Sequence, residues 1–410
     1  MPTGERIQDE EEKQSRIEFK FPLLIIRTQM FMRLYDRLGA CRASWTASWV
    51  TLTCMPIVAG FGIYLIFNTL LTLLTNPAAR EAGRELGPQA YILLPGINPY
   101  LPILYGWLAI VVAIAVHEGA HGVIARSIGF RVKSSGLLFF LGIPLGAFVD
   151  VDEEQLLKAK AKDSVRVLAA GPGANIALAI VCLVGVLLIT SGLSPVVDGL
   201  YVSEVMESMP AENAGLLERD VIIRIEDKQV TNLKDFEAEL EDKSPDDIVW
   251  VTVARGEMWR DRFFTSLKLT EYEGRAVLGV VLSEMFVEQR LRTYQKLAVE
   301  TPFIHFLPPT LAPGLVPFSG ALYAFYTHAL GEHWHILVNI FFWLWFINVN
   351  VAIFNALPIN PLDGGQAFKN VLKSLLDHRA DENTVSLLTN AVTFTMIFVI
   401  IMMITLPFIM

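Results

Sequence analysis

Ile110-Val-Val-Ala-Ile-Ala-Val-His117-Glu118-Gly119-Ala120-His121-Gly-Val-Ile-Ala125 is the stretch from which this chain is best read. On a helix, positions i and i+4 share a face, so both imidazoles can reach one metal ion. Glu118 sits beside them and can take a proton from a metal-bound water. The residues around these three are apolar. A carboxylate at bilayer depth costs about 2.5–3.5 kcal/mol on insertion scales, so its default reading is functional. The competing reading is a His–Glu pair that only holds helices together, which would not need the zinc spacing.

The surrounding chain fits that setting. Of 410 residues, 53% are hydrophobic and 18% charged, where a soluble protein is nearer a quarter charged. Segments 49–74, 100–126, 165–191 and 336–357 are apolar and long enough to span a bilayer, and 385–410 is a fifth. The spacing predicts a polytopic α-helical membrane protein. Segment 301–330 is apolar but broken by Pro302, Pro308, Pro309, Pro313 and Pro317, and reads as re-entrant or interfacial. The N-terminal 20 residues carry both signs of charge and no cleavage signature, so the first span reads as an uncleaved anchor. Segment 21–38, apolar with interspersed arginines, reads as surface-lying.

A hydrolytic zinc site needs a third protein ligand and an open position. Asp363 is the candidate, in Asn355-Ala-Leu-Pro-Ile-Asn-Pro-Leu-Asp363-Gly-Gly365. The glycines allow close backbone approach and the prolines set a rigid turn. Alone, the same residues would be an ordinary turn before a helix over 366–376. Lys and Arg in the short loops place the N-terminus inside and the block 195–300 outside. His121 then lies five residues before Arg126, about 7–8 Å in from the basic surface. Asp363 precedes Lys369 and Lys373 on the same side, provided 301–330 makes no net crossing.

The domain reading is 1–48 as a cytosolic segment, 49–192 as the first part of the membrane core, 197–285 as a small extracytosolic α+β domain, 286–335 as the re-entrant or interfacial segment, and 336–410 as the second part of the core. Within the first part, 134–149 is apolar but too short to span, and Gly136, Gly142, Gly146 and Pro144 interrupt it. It reads as a membrane-dipping β-hairpin or as a loop lying on the bilayer. Strands are predicted at 200–205, 221–225 and 248–253, and a helix capped by Asn232 with apolar positions 233, 236 and 240. Of the net charge of −9, the block 199–275 carries 18 acidic and 10 basic residues, or −8. That argues against nucleic-acid binding, which needs a basic face. The three cysteines have no metal-binding spacing, and their odd number argues against a disulfide framework.

With both motifs in hand, the sequence resembles the site-2 protease family of intramembrane metalloproteases. That family pairs His-Glu-x-x-His in one span with Asn-x-x-Pro-x-x-x-x-Asp-Gly in a later one; here these are His117–His121 and Asn355–Gly364. A Gly-rich start to the intervening span with a polar residue, Gly171-Pro-Gly-Ala-Asn175, matches a third family element. The resemblance implies one Zn2+ per chain on His117, His121 and Asp363, with Glu118 as general base and Asn355 stabilising the oxyanion. Asn175 is a further candidate for substrate contact, against helix packing through Gly171 and Gly173. It also implies regulated intramembrane proteolysis of transmembrane protein substrates within the lipid bilayer, in the cell membrane of a prokaryote. Residues 199–269 resemble a PDZ domain of the bacterial protease type, departing at Arg219 and Asp227 where glycine is usual. That implies binding of peptides or substrate tails.

A membrane helix hides its carbonyls in its own hydrogen bonds, so a substrate must unwind. The hairpin at 134–149 offers an edge for strand addition, making Gly136 and Gly142 candidate substrate-binding residues. Two rival readings are a transporter or ion pathway with an intramembrane metal site and a catalytically silent scaffold. His328, His333 and His335 are either a second metal site or solvated histidines before a span.

Overall fold

The computed structural model describes residues 17–140, 143–283, 321–376 and 381–410. Gly142 and most of segment 286–335, with its five prolines, lie outside the described residues.

Two strands, β1 (Ile17–Lys20) and β2 (Leu23–Thr28), lead into α1 (Met32–Gly39). The long apolar α2 (Arg42–Thr75) and the short α3 (Pro77–Leu86) follow, then α4 (Ile103–Ile128), which carries the His-Glu motif. Helix α4 stops at Gly129, whose φ of 92° is open to glycine, and Phe130 N–H returns to Ala125 O. Strands β3 (Val132–Phe140) and β4 (Ile143–Val151) come next, then α5 (Glu153–Lys158), α6 (Ala161–Leu168) and α7 (Ala170–Ser191).

The β-rich block holds β5 (Ser194–Pro195), β6 (Leu200–Val205), α8 (Pro210–Asn213), β7 (Val221–Ile225), β8 (Lys228–Gln229), α9 (Leu233–Leu240), β9 (Ile248–Arg255), β10 (Asp261–Lys268), β11 (Thr270–Tyr272), β12 (Arg275–Val277) and β13 (Val280–Ser283). A two-residue strand, β14 (Tyr326–Thr327), pairs with β5. The chain then runs through α10 (Trp334–Ala356), α11 (Asp363–Leu376) and α12 (Glu382–Ile409).

Among the described residues, α2, α4, α7, α10 and α12 are long and apolar enough to cross a membrane. The chain is a polytopic membrane protein. The expected span at 165–191 resolves into α7 and the preceding α6, which is a separate element packed against α2, α4 and α11.

By contacts the chain divides into two units. The first takes in the described residues up to Cys182 and from Trp343 onward, and the second runs from Leu183 to Phe342. In the first unit, a cluster of Tyr35, Ile124, Ala125, Val132, Val167 and Ala170 joins α1, α4, β3, α6 and the start of α7. A second cluster of Met55, Val165, Leu168, Ala169, Ala356 and Ala367 joins α2, α6, α10 and α11. The second unit contains a sheet in the order β10-β9-β7-β6-β13, with β8 on β7. Its alternating strand residues bury Leu200, Val202, Ile222, Ile225, Val249, Val251 and Val253. Leu233, Phe236 and Leu240 of α9 pack on that core, and Asn232 caps the helix by accepting from Asp235 N–H.

Two expectations need correction. Segment 21–38 does not simply lie on a surface. Its first part is β2, paired with β3 in the register Leu24↔Phe139 and Ile26↔Leu137, and its second part is α1, whose Tyr35 is buried against Gly122. The backbone of β2 thus pairs with a strand more than 100 positions further along the chain. The hairpin at 134–149 is thereby part of a four-stranded sheet, β1-β2-β3-β4. Gly136 sits on the inner strand β3, opposite Arg27 on one side and Phe148 on the other. With both backbone edges paired, it has none to offer a substrate strand. Its missing side chain has a packing reason, since a Cβ there would meet the Phe148 ring at 2.5 Å. The turns that depart from glycine in the PDZ-like stretch keep left-handed backbone all the same, at Arg219 (φ 73°) and at Glu226 (φ 51°) rather than Asp227.

Candidate metal centre

His117 and His121 project from one face of α4, as the i, i+4 spacing requires, and both are buried. Asp363 is the first residue of α11 and reaches them from the far end of the chain. Its Oδ2 lies 3.0 Å from His117 Nε2 and 3.3 Å from His121 Nε2. The loop before α11 folds back tightly on that helix start. A Cβ on Gly364 would meet Ala356 O at 2.1 Å, and one on Gly365 would meet the Ile359 carbonyl carbon at 2.3 Å. The two glycines are therefore what lets the 356–360 loop close over the helix end and present the carboxylate.

Among the described residues, these three form the one group of three or more metal-binding side chains. The donor set fits zinc. Ligand atoms about 2.05 Å from a tetrahedral ion stand about 3.3 Å apart, close to the observed separations. Two imidazoles and one carboxylate leave a fourth position for water or substrate. The ring of His121 is fixed from behind, because its Nδ1 meets Val167 O at 2.8 Å, which leaves Nε2 for the ion. On the other side of the motif, Val149 N–H of β4 donates to Glu118 Oε2 at 3.0 Å.

Residues 105–400 match the family model of peptidase family M50. The chain belongs to peptidase family M50, the site-2 protease family. Over 355 residues this M50 peptidase is 26% identical to an uncharacterized protein of Methanocaldococcus jannaschii, covering 85% of this chain and 78% of that protein. It is also similar, at 25% identity and a TM-score of 0.19, to the crystal structure of the PDZ domain of the SdrC-like protein from Listeria monocytogenes. That match covers 21% of this chain and 88% of the other. Family membership makes the chain a protease, in a family that is generally of the metallo type, and does not favour the transporter alternative.

The remaining candidates of the M50 peptidase fall in different places. Asn355 lies half-buried in the last turn of α10, one residue before the helix ends. Asn175 is fully buried, and its amide nitrogen is 3.4 Å from His117 Nδ1, which makes it a neighbour of a ligand. His335 stacks on Tyr323 and meets Glu332 O, while His328 accepts from Leu330 N–H. Those histidines make local contacts rather than a second metal group among the described residues.

Sequence reasoning missed the supports. Val149 N–H and Val167 O are backbone groups, which no residue pattern announces. Ser164 of α6 accepts from Asn370 of α11 at 2.8 Å, tying the helix that carries Asp363 to the helix that steadies His121. Arg166 did leave a signal, a cation inside the apolar run Val165-Arg166-Val167. It is 5% exposed and gives two nitrogens to Ser48 Oγ at 3.0 and 2.6 Å. It also pairs with Asp163 at 3.2 Å and lies 4.5 Å over the Trp49 ring. It anchors α6 to α2.

Proposed function

We propose that the chain is an intramembrane endopeptidase that hydrolyses peptide bonds in the membrane-spanning segments of other proteins, with Zn2+ held by His117, His121 and Asp363. The observation that carries this reading is the meeting of His117 and His121, inside an apolar helix beside Glu118, with Asp363, which lies 246 positions after His117 in the chain. Zn2+, when bound, polarises the scissile carbonyl and lowers the pKa of water towards about 7. Glu118 is the general base: its carboxylate takes the proton of the attacking water and passes it to the leaving amine. The Val149 N–H fixes the orientation of that carboxylate. Asn355, in the last turn of α10, is assigned to the oxyanion.

The substrate binds as an extended strand. Since β3 is paired on both sides, the edge available on this side of the sheet is that of β4. Val149 N–H points off that edge to Glu118, so a segment laid along β4 passes the base. The sheet dips into the membrane, the N-terminus is cytosolic, and the PDZ-like block lies outside the cytosol, where it binds peptides or substrate tails.

Glu118→Gln tests the core of the proposal. The purified variant is expected to keep one zinc per chain and to lose about 10²–10⁴-fold of its cleavage of a membrane-spanning reporter. A variant that cuts at the wild-type rate, or a wild type that purifies and reconstitutes without metal, would refute it.

A further inference from the structure

Gly171 and Asn175 stand four residues apart on α7 and so share one of its faces. A Cβ built on Gly171 would lie 2.5 Å from His117 Nε2, 2.5 Å from His121 Nε2 and 2.6 Å from His117 Cε1. A zinc–nitrogen bond is about 2.0–2.1 Å. The point a methyl group would take is thus within about half an ångström of bonding distance from both ligand nitrogens. Any side chain at 171 competes with the ion for the same volume.

Asn175 addresses the back of the same imidazole. Its amide nitrogen faces His117 Nδ1 at 3.4 Å, while its Oδ1 is buried with no hydrogen-bond partner among the described residues. An imidazole that lends Nε2 to a metal carries its proton on Nδ1 and needs an acceptor there. The amide as placed opposes two donors. Amide oxygen and nitrogen are interchangeable in placement, and a half-turn of the amide sets the partnerless oxygen against Nδ1–H. His117 is then held as His121 is held by Val167 O.

We infer that the first turns of α7 build the inner wall of the metal site: Gly171 keeps the ion's place open, and Asn175, through its side-chain oxygen, positions His117 with Nε2 towards the ion. This rests on the zinc reading above. It makes Asn175 a positioning residue rather than a substrate contact.

The test is metal affinity of the full chain in detergent, stripped with chelator and titrated with Co2+. The d–d absorption of four-coordinate cobalt is the signal, and competition by Zn2+ gives the zinc affinity. Gly171→Ala is expected to abolish stoichiometric uptake with His117, His121 and Asp363 all intact, and with far-UV circular dichroism unchanged. Asn175→Leu is expected to weaken binding about 10–100-fold, whereas Asn175→Asp, which still accepts from Nδ1–H, binds like the wild type.

A folded Gly171→Ala protein with wild-type affinity overturns the role given to the glycine. Asn175→Asp losing as much affinity as Asn175→Leu overturns the acceptor role, because a donor would then be what matters. If Gly171→Ala or Asn175→Leu fails to fold, Asn175→Asp decides alone: wild-type affinity supports the inference and loss refutes it. A wild type that takes up no metal is a different failure, that of the zinc reading itself.

Discussion

Asp220 in the β-rich block and Asp363 at the start of α11 are both withdrawn from water, and the chain answers their charges differently. Asp220, 1% exposed, accepts from Arg255 through both carboxylate oxygens at 2.8 and 2.7 Å and from Leu217 N–H at 2.8 Å. The hydrogen bonds to Asp220 raise the pKa of the Arg255 guanidinium above its ordinary value, so the cation opposite Asp220 is permanent. Asp363 has no such partner: its ion pairs among the described residues are with two histidines. A half-buried carboxylate met only by imidazoles lacks a permanent counter-charge, and a bound cation would provide one. The first arrangement completes a fold and the second prepares a site.

The largest effect should follow from removing the second charge. Asp363→Asn is expected to lose its metal and to take cleavage below detection, measured as zinc per chain beside turnover of a membrane-spanning reporter. Asp220→Asn should leave both readouts intact. Equal outcomes for the two would erase the distinction.

Arg255→Ala leaves Asp220 buried without its cation. Breaking a buried pair costs about 3–5 kcal/mol, and the lower end applies because Arg255 is 26% exposed. Urea unfolding of the β-rich block, followed by tryptophan fluorescence, should show the loss while zinc content stays unchanged.

A third carboxylate sharpens the contrast. Glu118 is held by one backbone N–H, and Val149→Pro removes that donor without costing the hairpin a ladder bond, since the group faces away from β3. A hydrogen bond to a charged group contributes about 1.5–3 kcal/mol. The turnover number should therefore fall about 10–150-fold at unchanged zinc content. An unaltered rate would mean that the carboxylate is oriented by something else.

The smallest effect concerns a carboxylate at the start of α9 that is only partly exposed. The Thr231 hydroxyl and amide hold Asp235 below its ordinary pKa. A lowered folded value contributes stability above the unfolded pKa and loses it as pH falls through the folded one. Thr231→Val should shift the Asp235 titration upwards by NMR, and the acid-side loss of stability due to this group should become smaller and be complete at a higher pH.

What the sequence conveys and what it withholds divides along the same physical line. Periodic features are legible: five apolar helices, the alternation in β6, β7 and β9, the Asn232 cap, and two histidines one helical turn apart. Asp363 is legible because glycines and prolines mark its turn. Pairing at long range is not. Nothing within 21–38 says that Leu24 lies opposite Phe139, because strand register depends on a partner whose position only the folded chain supplies. Gly136 illustrates the cost: the same glycine suits an open edge or a crowded inner strand, and only the neighbouring strands decide. The polar supports from Val149, Val167 and Ser164 come from the backbone or from a common serine, so residue type carries no trace of them.

The separation of 246 positions between His117 and Asp363 also bears on biosynthesis. On the proposed mechanism, a ribosome that has completed α4 has made two of the three metal-binding side chains and the base, but nothing able to cut. The centre closes only after α10 has been threaded into the bilayer and the turn behind it has folded. Hydrolytic power is thus withheld from the nascent chain during most of its own insertion, by the order of translation alone.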